Sequence, residues 1–151
     1  VEVGERVCAP TEEGHTVEIG KGSIISEGTD VTIIATGLMV SIALEANEIL
    51  KSEGISARIV NMPCIKPIDE KLIKECAEKT GVIVTCEEHN IIGGLGSAVA
   101  EVLCEECPVP MVRVGTLDTF GRSGTPAKLF EIYGLDEKTI VEKAKEVIAK
   151  K

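Results

Sequence analysis

Glu87-Glu88-His89-Asn90-Ile91-Ile92-Gly93-Gly94-Leu95-Gly96-Ser97-Ala98-Val99-Ala100-Glu101 runs from a polar turn through glycines into a helix, directly after the apolar run Gly81 to Thr85. Strand, loop, helix is the repeating step of α/β proteins, which gather their recognition surfaces where strands end. The same step recurs on both sides. Val31-Thr32-Ile33-Ile34-Ala35, β-branched and closed by Thr36-Gly37, predicts a buried strand. Ile42, Ala43, Ala46, Ile49 and Leu50 then recur at helical spacing over Val40 to Glu53, and Gly54 supplies the stop.

Ile55 to Met62 predicts the next strand, and Pro63 and Pro67 flank the connection after it. Asp69 is placed to cap a helix carrying Leu72, Ile73, Cys76 and Ala77 on one face, with Ile68 and Ile73 as a hydrophobic staple. Gly81 to Thr85 is the third predicted strand, and the glycine loop opens a helix of about ten residues ending before Pro108. Met111 to Val114 is the fourth. Thr125-Pro126 starts a helix stopped by Gly134, and Asp136 caps the last helix, Lys138 to Lys150. Strands and helices alternating at this spacing imply a three-layer α/β/α fold with a mainly parallel sheet.

Composition narrows the class further. The chain has 151 residues, enough for one domain with a working core. Hydrophobic residues make up 44% but aromatic ones only 2%, so Val, Ile, Leu and Ala must fill that core, as in sheets covered on both faces. A net charge of −9 with scattered Lys and Arg argues against nucleic acid as a partner. No segment reads as membrane-spanning or lipid-anchored.

Six cysteines, Cys8, Cys64, Cys76, Cys86, Cys104 and Cys107, fall largely at apolar positions, and no secretory signal precedes them. A reduced, cytoplasmic protein is expected. Cys104-x-x-Cys107 lacks a second pair or a nearby His, so thiols of the core or surface are expected rather than a zinc site. Residues 1–21 read as a linker or the tail of a preceding domain, polar and broken by Pro10 and Gly14, with the main domain over 22–151. The chain starts without Met, which is expected of a piece of something longer or of a processed chain.

Two loops hold the residues able to do chemistry. In the first, Gly93, Gly94, Gly96 and Ser97 at a helix start offer free backbone N–H groups to an anion. Their spacing fits neither G-x-G-x-x-G nor the Lys-containing phosphate loop, and close packing of the helix explains the same small residues. Glu87, Glu88 and His89 put carboxylates beside an imidazole, of which Glu88 and His89 are the weak catalytic candidates. No nucleophile motif accompanies them, and with His15 the only other histidine a loop or interface role is expected of His89. The second loop, Asp118-Thr119-Phe120-Gly121-Arg122-Ser123-Gly124-Thr125-Pro126, is expected to lie beside the first at one edge of the sheet. Asp118, Phe120 and Arg122 are its interface or anion candidates: Phe120 anchors the loop or fills an interface, and Arg122 pairs with an anion or stays solvated.

These two loops in this order, with Asp30 to Gly37 before them and Phe130-Glu131-Ile132-Tyr133-Gly134-Leu135-Asp136 after them, resemble the C-terminal domain of transketolase over roughly Ile19 to Lys150. Thr36-Gly37, Glu88-His89-Asn90 and Asp118-Thr119-Phe120-Gly121 favour transketolase over 1-deoxyxylulose-5-phosphate synthase and the beta subunit of 2-oxoacid dehydrogenases, which carry related domains. The resemblance implies ketol transfer between sugar phosphates, as in the pentose phosphate pathway. It implies thiamine diphosphate and a divalent metal such as magnesium, held between a pyrophosphate and a pyrimidine domain from two chains of a homodimer. The Gly-Asp-Gly signature of the metal site and the domain bearing the pyrimidine-activating glutamate are not in this sequence. Family enzymes place a phosphate-binding arginine just before this domain, where Glu2 aligns and Arg6 lies nearby. The expected role is therefore scaffold and dimer contacts, inactive in isolation, with the N-terminal section and pyrimidine domain as partners. A free-standing anion-binding α/β module is the alternative without an enzyme.

Overall fold

The computed structural model describes residues 18–151. The leading segment to position 17, with Glu2, Arg6, Cys8 and His15, lies outside the described residues. Five strands form one sheet: β1 (Ser23–Ser26), β2 (Val31–Ala35), β3 (Ala57–Asn61), β4 (Ile83–Asn90) and β5 (Met111–Thr116). Five helices accompany them: α1 (Met39–Ser52), α2 (Glu70–Thr80), α3 (Leu95–Glu106), α4 (Pro126–Tyr133) and α5 (Glu137–Ile148). The spatial order is β1-β3-β2-β4-β5, with β3, β2, β4 and β5 parallel and β1 antiparallel at the edge.

Side chains alternate across β2, so the core divides into two apolar layers. Val31, Ile33 and Ala35 face α1 and α5, where they pack with Val40, Ala43, Leu50, Ile140 and Val147. Ile34 points the other way, with Ile73, Ala77, Val99 and Leu103 of α2 and α3. This is the three-layer arrangement that the aromatic-poor composition demands, and all five residues of β2 are buried. Among the described residues no helix is long and apolar enough to cross a membrane.

Local signals in the sequence do what they predict. The Asp69 side chain accepts the N–H of Leu72 to cap α2, and Ile68 packs into the same cluster as Ile73. Asp136 accepts the N–H of Thr139 at the start of α5, and Gly134 ends α4 in the left-handed conformation.

Three local expectations are corrected. Gly81 belongs to no strand; with φ +71° it ends α2, and pairing in β4 starts at Ile83. Glu87 to Asn90 is not a turn but the continuation of β4, whose pairing with β5 breaks register after Cys86 and Val114 and resumes at Asn90 and Thr116. The sheet also holds a strand the pattern did not indicate, β1. Its four residues sit between polar neighbours at an edge and pair only with β3, so no long apolar run marks it.

Candidate functional site

Chain order fixes where the sheet changes direction. From β2 the chain crosses by α1 to β3 on one side, then by α2 to β4 on the other, so the carboxyl ends of β2 and β4 bound the switch point at which open α/β sheets bind ligands. A crevice of about 310 Å³ lies there, lined by Thr36, Gly37, Ile65, Glu87, Glu88, His89, Gly93 and Gly94. Residues of the first loop thus line a concavity. Its chemistry is set by one residue.

Glu87 is buried, and its carboxylate accepts the N–H of Leu95 at 2.7 Å and of Gly96 at 2.9 Å. These are the first donors of α3, the groups that would otherwise face an incoming anion. The anion at this helix start is thus supplied by the chain itself. Gly94 makes the approach possible, since a Cβ there would stand 1.8 Å from Glu87 Oε2. Gly96 likewise admits Arg113 and Thr85, whose atoms would lie 2.7 to 2.8 Å from an added Cβ. Packing and self-capping account for the glycines.

The remaining loop groups also close on one another. Ser97 Oγ accepts the Gly93 N–H at 2.9 Å and donates to the Ile91 carbonyl at 3.2 Å, which Arg113 also reaches at 2.7 Å. Asn90 Oδ1 accepts the Ile92 N–H at 2.9 Å. Gly93 turns the loop with φ +81°, in the left-handed region that favours glycine. His89 is exposed, and its Nδ1 meets the Asn90 carbonyl at 2.9 Å, a contact in which the ring nitrogen carries the proton. Glu88 is exposed at the crevice rim.

The second loop lies beside the first, as its sequence suggests. Asn90 Nδ2 donates to Asp118 Oδ1 at 3.5 Å, and the Ile91 N–H reaches the Thr116 carbonyl at 3.0 Å. Phe120 does not anchor that loop, because it is 99% exposed. Tyr133 does so instead, its hydroxyl accepting the Arg122 N–H at 2.7 Å. Leu117, Phe120, Arg122, Ile132 and Tyr133 border an open hollow of about 460 Å³. The sequence reading missed the parts played by Arg113 and Tyr133; only the facing geometry of β5 and α4 assigns them.

A thiamine diphosphate and metal site does not fit these residues. The α3 donors suited to a diphosphate are engaged by Glu87, and among the described residues no group of three or more His, Cys, Asp or Glu side chains is placed to hold a metal ion.

Comparison with known proteins agrees with this architecture. Residues 20–140 match the family model "Transketolase, C-terminal domain". The 6-deoxy-6-sulfo-D-fructose transketolase subunit SqwH of Clostridium sp. (strain MSTE9) is 49% identical over 92% of this chain and 43% of its own length. A 1-deoxy-D-xylulose-5-phosphate synthase of Heliobacterium modesticaldum is 44% identical over 90% of this chain and 21% of its own. The solved structure of a split gene transketolase, described as an inactive beta4 tetramer, superposes with a TM-score of 0.90 at 49% identity, over 96% of this chain and 46% of that one. The chain thus spans less than half the length of these relatives. Matched along most of its length by family and by fold, the chain belongs to the transketolase C-terminal domain family.

Proposed function

We propose that this domain serves a thiamine diphosphate-dependent transketolase of the cytoplasm as scaffold and assembly unit, while the reacting groups stand on other polypeptide. The observation that carries the reading is the Glu87 carboxylate at the start of α3, which takes up the donors a phosphorylated ligand or cofactor would need. The thiamine diphosphate, a divalent metal such as magnesium and the sugar phosphates then belong to the N-terminal section and pyrimidine domain, partners that the relatives' greater length leaves room for. Homodimeric assembly is part of the proposal. It is supported by a relative described as a tetramer of beta chains, 49% identical to this one.

The test compares this chain with the complete enzyme. The chain alone is expected to give no heat with thiamine diphosphate and magnesium in calorimetry, and the complete enzyme to transfer a ketol unit from xylulose 5-phosphate to ribose 5-phosphate. Saturable thiamine diphosphate binding by the chain alone overturns the division of roles. A second reading is favoured by the 44% identity to a 1-deoxy-D-xylulose-5-phosphate synthase. Formation of 1-deoxyxylulose 5-phosphate by the complete enzyme, without ketol transfer between sugar phosphates, decides for it.

A further inference from the structure

Asp69 does more than a helix cap requires. Its Oδ1 accepts the Leu72 N–H at 3.2 Å, which completes the cap of α2. Its Oδ2 accepts the Gly22 N–H, also at 3.2 Å, from backbone forty-seven residues earlier in the chain. A serine or an asparagine caps a helix as well as an aspartate does, whereas only a carboxylate offers an acceptor on each of two oxygens. Asp69 is 7% exposed, so water does not compete for either bond.

The backbone that Asp69 holds is fitted closely to its place. A Cβ at Gly22 would stand 2.7 Å from Leu72 Cδ2 and 3.2 Å from the Asn61 carbonyl oxygen, so this strand of chain lies directly on the first turn of α2 and the end of β3. Just before it, the Lys21 N–H reaches the Glu18 carbonyl at 3.2 Å and closes a turn whose third residue, Gly20, has φ +80°. A Cβ on Gly20 would meet Pro67 Cγ at 3.0 Å. Pro67 and Asp69 therefore hold the same entry turn. Its glycines serve left-handed backbone and close approach, not the freedom of a flexible linker.

We infer that Asp69 is a positioning residue: it clamps the turn at Glu18–Lys21 and so fixes the direction from which the preceding polypeptide reaches the domain. The inference rests on the assembly role proposed above and names a residue that serves it. The turn stands at the carboxyl end of the parallel strands, since Ser23 pairs with Asn61, the last residue of β3. That end is the apolar side of the domain, where exposed Ile65, Ile92, Leu117 and Phe120 follow β3, β4 and β5. A fixed entry there holds the reacting part of the enzyme in one orientation, and the ordering is complete before the parts meet.

Two variants separate the clamp from the cap. Asp69→Ser keeps one capping oxygen for α2 and is too short to serve Gly22 as well; Gly22→Ala lifts the backbone from Leu72 and leaves Asp69 in place. Trypsin reads the result on the 151-residue chain, because the bond after Lys21 is held in the clamped segment. Wild type should resist cleavage there, and both variants should be cut about tenfold faster or more while circular dichroism melts show the domain folded. In the complete enzyme both should lower kcat for ketol transfer by about tenfold and leave KM for either sugar phosphate within about twofold, a split that a loss of folded protein or of substrate binding would not produce together with those melts. Cleavage of wild type as fast as the variants, protection that persists in both variants, or full activity in variants that have become cleavable overturns the inference. A wild-type complete enzyme without ketol transfer overturns the parent reading instead, and the trypsin result then decides on the clamp by itself.

Discussion

The carboxylate of Glu87 and the backbone amide of Leu95, eight residues apart in the chain, meet at 2.7 Å inside the protein. The contact joins the end of β4 to the start of α3 and turns a helix terminus from a binding surface into an internal joint. Removing the acid leaves two buried donors without a partner. Because hydrogen bonds to a charged acceptor are each worth about 1.5–3 kcal/mol, Glu87→Ala should cost about 3 kcal/mol or more, read as a lower urea midpoint at unchanged slope. Glu87→Gln keeps the shape and one acceptor and should lose less.

Gly94→Ala tests the same joint from the other side. The backbone there, φ −95° and ψ −153°, is open to any residue, so any loss must come from space alone. With an added Cβ 1.8 Å from Glu87 Oε2, the carboxylate must move or the helix must back away. We expect a loss of about 1–3 kcal/mol in chemical denaturation. The variant should lose little beyond Glu87→Ala when the two are combined, because they disturb one contact.

Burial pushes the Cys86 thiol above its ordinary value of 9.0, and burial also raises Cys76, against a smaller opposing effect of Arg58. The folded state therefore holds these protons at a pH where the unfolded chain releases them. The unfolded state binds fewer protons above pH 9.0, so stability should fall as pH rises through that value. Urea midpoints measured from neutral pH to about pH 10 check the slope, and Cys86→Val should flatten it. With a thiol reagent on the native protein, exposed Cys104 should react, whereas Cys86 and Cys76 should wait for unfolding.

Arg58 is buried on β3, with its guanidinium reaching Glu75 at 2.8 Å, Glu27 at 3.2 Å and Cys76 Sγ at 3.4 Å. Both carboxylates are more than half exposed, so they return to water when the arginine is removed. What remains is mostly lost packing. Arg58→Ala should cost about 2–4 kcal/mol, and Arg58→Met, which refills the volume, less than half of that in the same denaturation experiment.

Much of this fold is legible in the chain because the signals are local. The β-branched run at Val31, the helical spacing from Ile42 to Leu50 and the caps at Asp69 and Asp136 are each read within a few residues. Ser23–Ser26 escapes, since its place depends on β3, more than thirty residues away in the chain. Glu87 shows the other limit. An acidic residue after an apolar run reads as the end of a strand, yet its burial is stabilised by amides that come together only when α3 folds back across the sheet. The loop pair at the sheet edge was legible from order alone; the exposure of Phe120 and the hold of Tyr133 on Arg122 required the packed structure.

The reversed course of β1 gives the domain a front and a back. Ser23 starts opposite Asn61, whereas the side chain of Lys151 lies against Gly81, ahead of β4 at the far end of the parallel strands. The polypeptide comes in on the apolar side and goes out on the other. An affinity handle or fluorophore joined after Lys151 would leave the Phe120 side clear for immobilisation and ranging experiments.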